Sequence, residues 1–132
     1  MKRVASLAGA FLITSSLGAL AQESAGKNEY MVACSVCHGE SGKGEGQFAR
    51  LMNISVPNLT TLAARNDGTF PYLKVFMTVD GRTKVAGHGG PMPIWGERFS
   101  EASKDQYGPY GTELMVRGRI AVLVDYLQSI QE

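Results

Sequence analysis

The sequence predicts an all-α fold: a first and a last helix, two short helices between them, and long loops. Two segments, residues 23–38 and the stretch beginning at Thr112, place small or apolar residues three and four positions apart, the spacing of one helix face. The chain is poor in strand signals. Glycine supplies 16 of 132 residues, about 12% against a usual 7% or so. It clusters with proline outside the two periodic segments, where it favours turns and irregular loops. One domain is expected at this length.

Lys2 and Arg3 precede an apolar stretch, residues 4–20, broken by Ser6, Thr14, Ser15 and Ser16 and ending in Ala19-Leu20-Ala21. That is the pattern of a secretory signal peptide. Its uninterrupted apolar part is shorter than the roughly 20 residues of a spanning helix. Residues 1–21 are therefore expected to be cleaved after Ala21, leaving a domain of residues 22–132 in the periplasm. An uncleaved anchor is the competing reading. A lipid anchor lacks its cysteine at the cleavage site.

In the segment 23–38, Gly26, Tyr30, Ala33 or Cys34, and Cys37 fall on one helical face, and Gly39 is a terminator. Gly39, Gly42, Gly44, Gly46 and Pro57 predict a long irregular loop over residues 39–58, with Phe48, Leu51, Met52 and Ile54 as local apolar contacts. Long loops in small domains usually wrap something. Thr60 caps a short helix running to Arg65, closed by Asn66-Asp67-Gly68, and a second runs from Pro71 to Asp80 with Gly81 past its end. Residues 82–111 contain six glycines and three prolines, which predicts extended or turn backbone because proline disfavours helix at the preceding residue. The last helix starts at Thr112. Leu123, Leu127 and Ile130 extend its apolar stripe.

With 13 Lys and Arg against 12 Asp and Glu, the net charge is +1, and no basic run or face is visible. Binding to nucleic acid by counterion release lacks its main ingredient. Removing residues 1–21 takes away Lys2 and Arg3 and no acid, leaving 11 basic against 12 acidic residues, a net of −1. Export also places Cys34 and Cys37 in an oxidising compartment, where a free pair becomes a disulfide unless something captures the sulfurs first.

Cys34-Ser35-Val36-Cys37-His38 is C-x-x-C-H, the attachment signal of a c-type haem. Two thiols three residues apart on one helical turn can each add to a different vinyl group of one porphyrin, and the next residue then offers its imidazole to the iron. The alternatives are a redox dithiol of thioredoxin type, a plain disulfide, and a zinc site completed by His88. The dithiol needs a βαβ setting, and zinc would need the adjacent Cys37 and His38 to converge on one ion.

At this motif the chain resembles the class I cytochrome c family, most of all its bacterial periplasmic members, and the resemblance extends over nearly all of residues 22–132. It implies a small cytochrome c fold with crossed N- and C-terminal helices and loops wrapping one haem c, covalently attached via Cys34 and Cys37, with His38 as an axial ligand. Met92 in Pro91-Met92-Pro93-Ile94-Trp95-Gly96 is similar to the family's methionine ligand and stands 54 residues after His38. Gly26 and Tyr30 resemble the first-helix residues that pack against a leucine and a tyrosine of the last helix, here within Leu123-Val124-Asp125-Tyr126-Leu127. Val56-Pro57-Asn58-Leu59 is similar to the segment whose proline carbonyl accepts a hydrogen bond from the ligand histidine's Nδ1. Residues 97–111 separate the methionine segment from the last helix.

Among the other methionines of the exported domain, Met31, Met77 and Met115 fall in predicted helices, where core packing is the ordinary role. Met52 is the weaker thioether candidate, and His88 is the chief nitrogen competitor for the sixth position, which would lower the potential. Trp95 is either core or beside a haem propionate. Arg82, Arg98, Arg117 and Arg119 raise the question of propionate compensation, though any one arginine taken alone is more often a solvated surface residue.

The expectation is a soluble monohaem carrier of single electrons, not an enzyme, without a substrate pocket and monomeric. Its redox partners would be a dehydrogenase, oxidase or reductase, or a membrane-bound redox complex. The alternative is a haem-bearing subunit of a larger oxidoreductase. A gas sensor or enzyme with open iron is disfavoured, because Met92 would fill the open position.

Overall fold

A computed structural model describes residues 16–51, 55–82 and 92–132. Among them there is no strand, in agreement with the all-α expectation. Four α-helices follow in order: α1 (Ser16–Ala33), α2 (Ser35–His38), α3 (Tyr72–Asp80) and α4 (Trp95–Ser129), with 3₁₀ helices at Gln47–Leu51 and Ala64–Asn66. No described helix is long and apolar enough to cross a membrane.

The core forms where α1 crosses α4, and glycine permits the approach. A Cβ on Gly26 would overlap the carbonyl oxygen of Val122 and stand 2.8 Å from Tyr126 Cβ. One helical turn on, Tyr30 is completely buried with its ring 5.4 Å from that of Tyr126, and its hydroxyl donates to Gly39 O at 2.6 Å. Burial pushes the Tyr30 hydroxyl's pKa well above its ordinary value, so it stays a donor. Val116, Ile120, Leu123 and Val124 fill the same layer without exposure. At the edge of the crossing, Arg119 forks onto Glu29 through two bonds of 2.8 Å and lies 3.8 Å from the centre of the Phe99 ring. The crossing implied by the resemblance is thus present, with Gly26, Tyr30 and Tyr126 in contact.

The predicted first helix is divided. Helix α1 starts at Ser16, runs through Ala21 and ends at Ala33; after Cys34, α2 makes one further turn to His38. Gly39, at φ 79°, ends it as expected. Helix α3 follows Pro71 and stops at Gly81, whose φ of 67° lets its N–H bond Met77 O at 3.0 Å.

The short helix expected from Thr60 to Arg65 is instead a run of turns leading into the 3₁₀ helix Ala64–Asn66. Asn58 organises the turn: its Oδ1 accepts from Thr60 N at 2.7 Å and Thr60 Oγ1 at 2.9 Å. Thr60 caps no helix, since the residue before Ala64–Asn66 is Ala63, which makes no side-chain cap bond. The end of the chain holds this stretch in place. Gln131 bonds Ala63 N and Leu59 O, and Glu132 N donates to Thr60 O at 2.8 Å. In the preceding loop, Phe48 and Leu51 are exposed rather than in local apolar contact, while Met52 and Ile54 lie outside the described residues.

The expectation of extended or turn backbone over residues 82–111 is corrected from Trp95 onward, while residues 83–91 lie outside the described residues. Residues 95–107 are helical and continuous with the last helix, except at Gly108, where φ 63° and ψ 177° break the run before Pro109. Proline constrains the residue before it, and that constraint falls on one glycine able to accept it. After the break, Pro109 sits in the first turn of the second segment, where its missing N–H costs nothing. Burial of Gly96, Phe99 and Ser103 along one face holds the first segment against the core. Tyr107 and Tyr110 flank the break with exposed rings.

Candidate functional site

The pentapeptide Cys34–His38 is built at a break between helices. Cys34 N still bonds Tyr30 O at 2.8 Å, so the residue is anchored to α1, and Cys34 O then accepts from His38 N at 2.9 Å to begin α2. Cys34 and His38 are thereby buried on one side of the turn, with Cys37 half-buried beside them.

Glycines then fold the loop back over α2. Gly44 N donates to His38 O at 2.8 Å and Gly46 N to Cys37 O at 3.2 Å. A Cβ on Gly44 would overlap Val56 O, and one on Gly46 would lie 2.5 Å from Val36 O. Gly42 O accepts from Leu59 N at 2.7 Å. These approaches bring residues 56–59 alongside α2, and Pro57 O ends 3.1 Å from His38 Nδ1. A carbonyl only accepts, so Nδ1 carries the proton and donates, leaving Nε2 as the basic nitrogen. This is the contact implied by the proline segment, made here with Val56 preceding the proline.

A cavity of about 410 Å³ lies against this turn, a volume within the usual range of cofactor sites. Cys34 and His38 line it from the pentapeptide turn, Val75 and Val79 from α3, Leu127 from α4, and Leu59 and Leu62 from the loop. Met92 lines it too, so three of the four sequence-predicted site residues meet at one space; Cys37 is on the adjacent turn but not in the lining. Met92 also lines a wider open cleft of about 840 Å³, together with Trp95, Phe99, Arg98 and Arg119. Met52 and His88 lie outside the described residues.

Sequence reasoning missed the cationic residues of the first cavity. Arg65 and Lys74 line it, whereas Arg82, Arg98, Arg117 and Arg119 do not. Arg65 is fixed by backbone carbonyls, bonding Thr61 O at 3.2 Å through Nε and Asn58 O through Nη2. The available signal was helical period: Pro71, Lys74, Val75, Thr78 and Val79 share one face of α3, so Lys74 belongs with the valines. Trp95 turns to the open cleft, its ring 5.7 Å from Phe99 and 5.5 Å from the Arg98 guanidinium.

The chemistry of the donor set fits haem c. Burial above all, then Cys37 and Glu29, pushes the Cys34 thiol up to about 12. A thioether link carries no charge that this burial would penalise. Among the described residues no three His, Cys, Asp or Glu side chains stand together as a metal cluster. An imidazole with its tautomer set, a neutral thioether, apolar walls and two cations beside the cavity suit an iron porphyrin with two propionates.

A family model described as cytochrome c matches residues 23–131. No curated protein and no solved structure matches the chain.

Proposed function

The chain belongs to the cytochrome c family, and on that premise we propose that it is a periplasmic monohaem carrier of single electrons, with His38 and Met92 as axial ligands. The family binds covalently attached haem c, typically through two cysteines, and transfers electrons to redox partners; Cys34 and Cys37 are the chain's two cysteines. The observation that carries the reading is the meeting of His38, its Nδ1 engaged by Pro57 O, and Met92 at one apolar cavity beside the C-x-x-C-H turn.

Haem c supplies a one-electron iron couple. The residues of this chain hold it and set its environment. Cys34 and Cys37 would anchor the ring through thioethers, and His38 would offer Nε2, its orientation kept by the Pro57 carbonyl, which also strengthens donation. Met92 offers a soft neutral sulfur, which raises the potential relative to a second histidine. Leu59, Leu62, Val75, Val79 and Leu127 line the cavity and would exclude water from the ring. Arg65 and Lys74 place positive charge where two propionates need it.

No bond to a substrate forms or breaks, so the fold's task is to change little between the two oxidation states. The core described above serves that task through the Gly26 crossing and the two bonds from Arg119 to Glu29. With a net charge near −1 after removal of residues 1–21, steering toward partners is weak and encounters are brief, as for small redox interfaces.

Mass spectrometry of the exported protein, made with haem-attachment machinery, tests the reading. One haem mass on residues 22–132 is expected. An exported chain that begins at residue 22 and carries no added haem overturns it.

A further inference from the structure

We infer that Asp80, Arg82 and Glu113, with Gly96, form a clamp that holds the methionine segment in place, Arg82 being its positioning residue. Asp80 ends α3, and both of its carboxylate oxygens accept from Arg82, at 2.5 Å from Nε and 3.0 Å from Nη2. The same guanidinium reaches forward to α4, where its Nη1 donates to Glu113 Oε2 at 2.7 Å. Arg117 fixes that carboxylate from the other side, Nε to Oε1 at 2.6 Å. Arg82 therefore bridges the end of α3 to the second segment of α4.

This bridge lies against the start of α4. A Cβ on Gly96 would overlap Asp80 Oδ1 and stand 2.7 Å from Arg82 Nε, so the backbone at Gly96 rests on the ion pair with no room for a side chain. Beside it, Gly81 is close enough to Ile94 that a Cβ there would lie 3.2 Å from Ile94 Cγ2. Ile94, the residue before α4, makes no side-chain cap, and Asp80 places a carboxylate beside the helix's first turn, where negative charge is favourable. Gly96 is four residues after Met92, with stiff Pro93 between them. Residues 80–82 thus tie down the downstream end of the segment from which Met92 enters the cavity.

The consequence concerns ligand exchange. An external base competes with a protein ligand in proportion to the fraction of molecules in which that ligand has swung away. Loosening the clamp raises that fraction without altering the cavity.

The inference rests on Met92 as the iron ligand, and imidazole binding to the ferric holoprotein separates the two claims. Wild type should show the weak far-red band of sulfur-to-iron ligation, and Met92→Ala should lose it; failure of either sinks the ligand assignment, and the clamp with it. Given that band, Arg82→Ala and Gly96→Ala should bind imidazole about five- to tenfold more tightly than wild type, with Arg82→Lys between. Tyr72→Phe, which removes a 2.8 Å bond from α3 to Asp125 of α4 away from the methionine side, should bind it as wild type does. Equal imidazole affinity in wild type, Arg82→Ala and Gly96→Ala refutes the clamp alone. So does equal tightening by Tyr72→Phe, which would mark a general loss of stability. Should Arg82→Ala not fold, Glu113→Gln takes its place with the same two readings.

Discussion

Gly26 of α1 lies directly against the main chain of Val122 in α4: a Cβ on the glycine would overlap that residue's carbonyl oxygen. The crossing of the two helices is set by the absence of one methyl group. Gly26→Ala forces the backbones apart and misplaces the Tyr30 and Tyr126 rings. Overpacking of this kind costs typically 1–3 kcal/mol, so a drop in thermal midpoint of the holoprotein by several degrees is expected, measured by circular dichroism. An unchanged midpoint would show that the crossing has slack.

Met92→Ala should abolish the far-red band of the ferric protein and lower the reduction potential, while Met52→Ala should leave both as they are. An absorption spectrum and a potentiometric titration of each variant decide between the two thioethers. Loss of the band in the Met52 variant alone reassigns the ligand.

Arg65 and Lys74 line the cavity, and positive charge near the iron disfavours its ferric, more positive state. Arg65→Gln and Lys74→Gln should each lower the potential. At exposed sites the interaction is screened to roughly 0.5–1 kcal/mol, or about 20–40 mV for one electron. The effect should shrink with added salt. Arg98→Gln, outside this cavity, should move the potential less.

Burial, then a hydrogen bond to Asp125, pushes the Tyr72 hydroxyl up to about 12. Unfolded tyrosine ionises near 10, so between these values the folded chain keeps a proton that the unfolded chain releases. The resulting stabilisation is complete below about pH 10 and declines as pH rises from there toward 12. Buried Tyr30 acts in the same direction. Tyr72→Phe should flatten the fall of the thermal midpoint across this window, followed by unfolding scans at pH 9 to 11.5.

Much of this was legible in local sequence. The C-x-x-C-H turn, the helix from Pro71 to Asp80 with its Gly81 stop, and the faces bearing Gly26, Tyr30 and Tyr126 are short-range patterns in which each residue's backbone preference or helical spacing carries the information. The helix over residues 95–107 was hidden because its neighbouring glycines and prolines read as loop, while the burial of Phe99 and Ser103 that stabilises it is a long-range property. The turns that replace a helix from Thr60 were hidden for a similar reason: Asn58 and Thr60 both suit a cap or a turn, and the choice depends on where Gln131 and Glu132 pin the chain.

The sequence by itself determined which atoms are available for the chemistry: two thiols at fixed spacing, an adjoining imidazole, and a thioether set between two prolines. Only the tertiary structure decided which groups share a space. It placed Pro57 O against His38 Nδ1, brought Arg65 and Lys74 to the cavity while Arg82 and Arg119 were taken up by Asp80, Glu113 and Glu29, and brought Met92 to the cavity that the valines of α3 line. Spacing along the chain governs neighbours within a few residues, because backbone geometry carries over that range. Proximity between residues far apart along the chain follows from close packing of the whole core, which no local window contains.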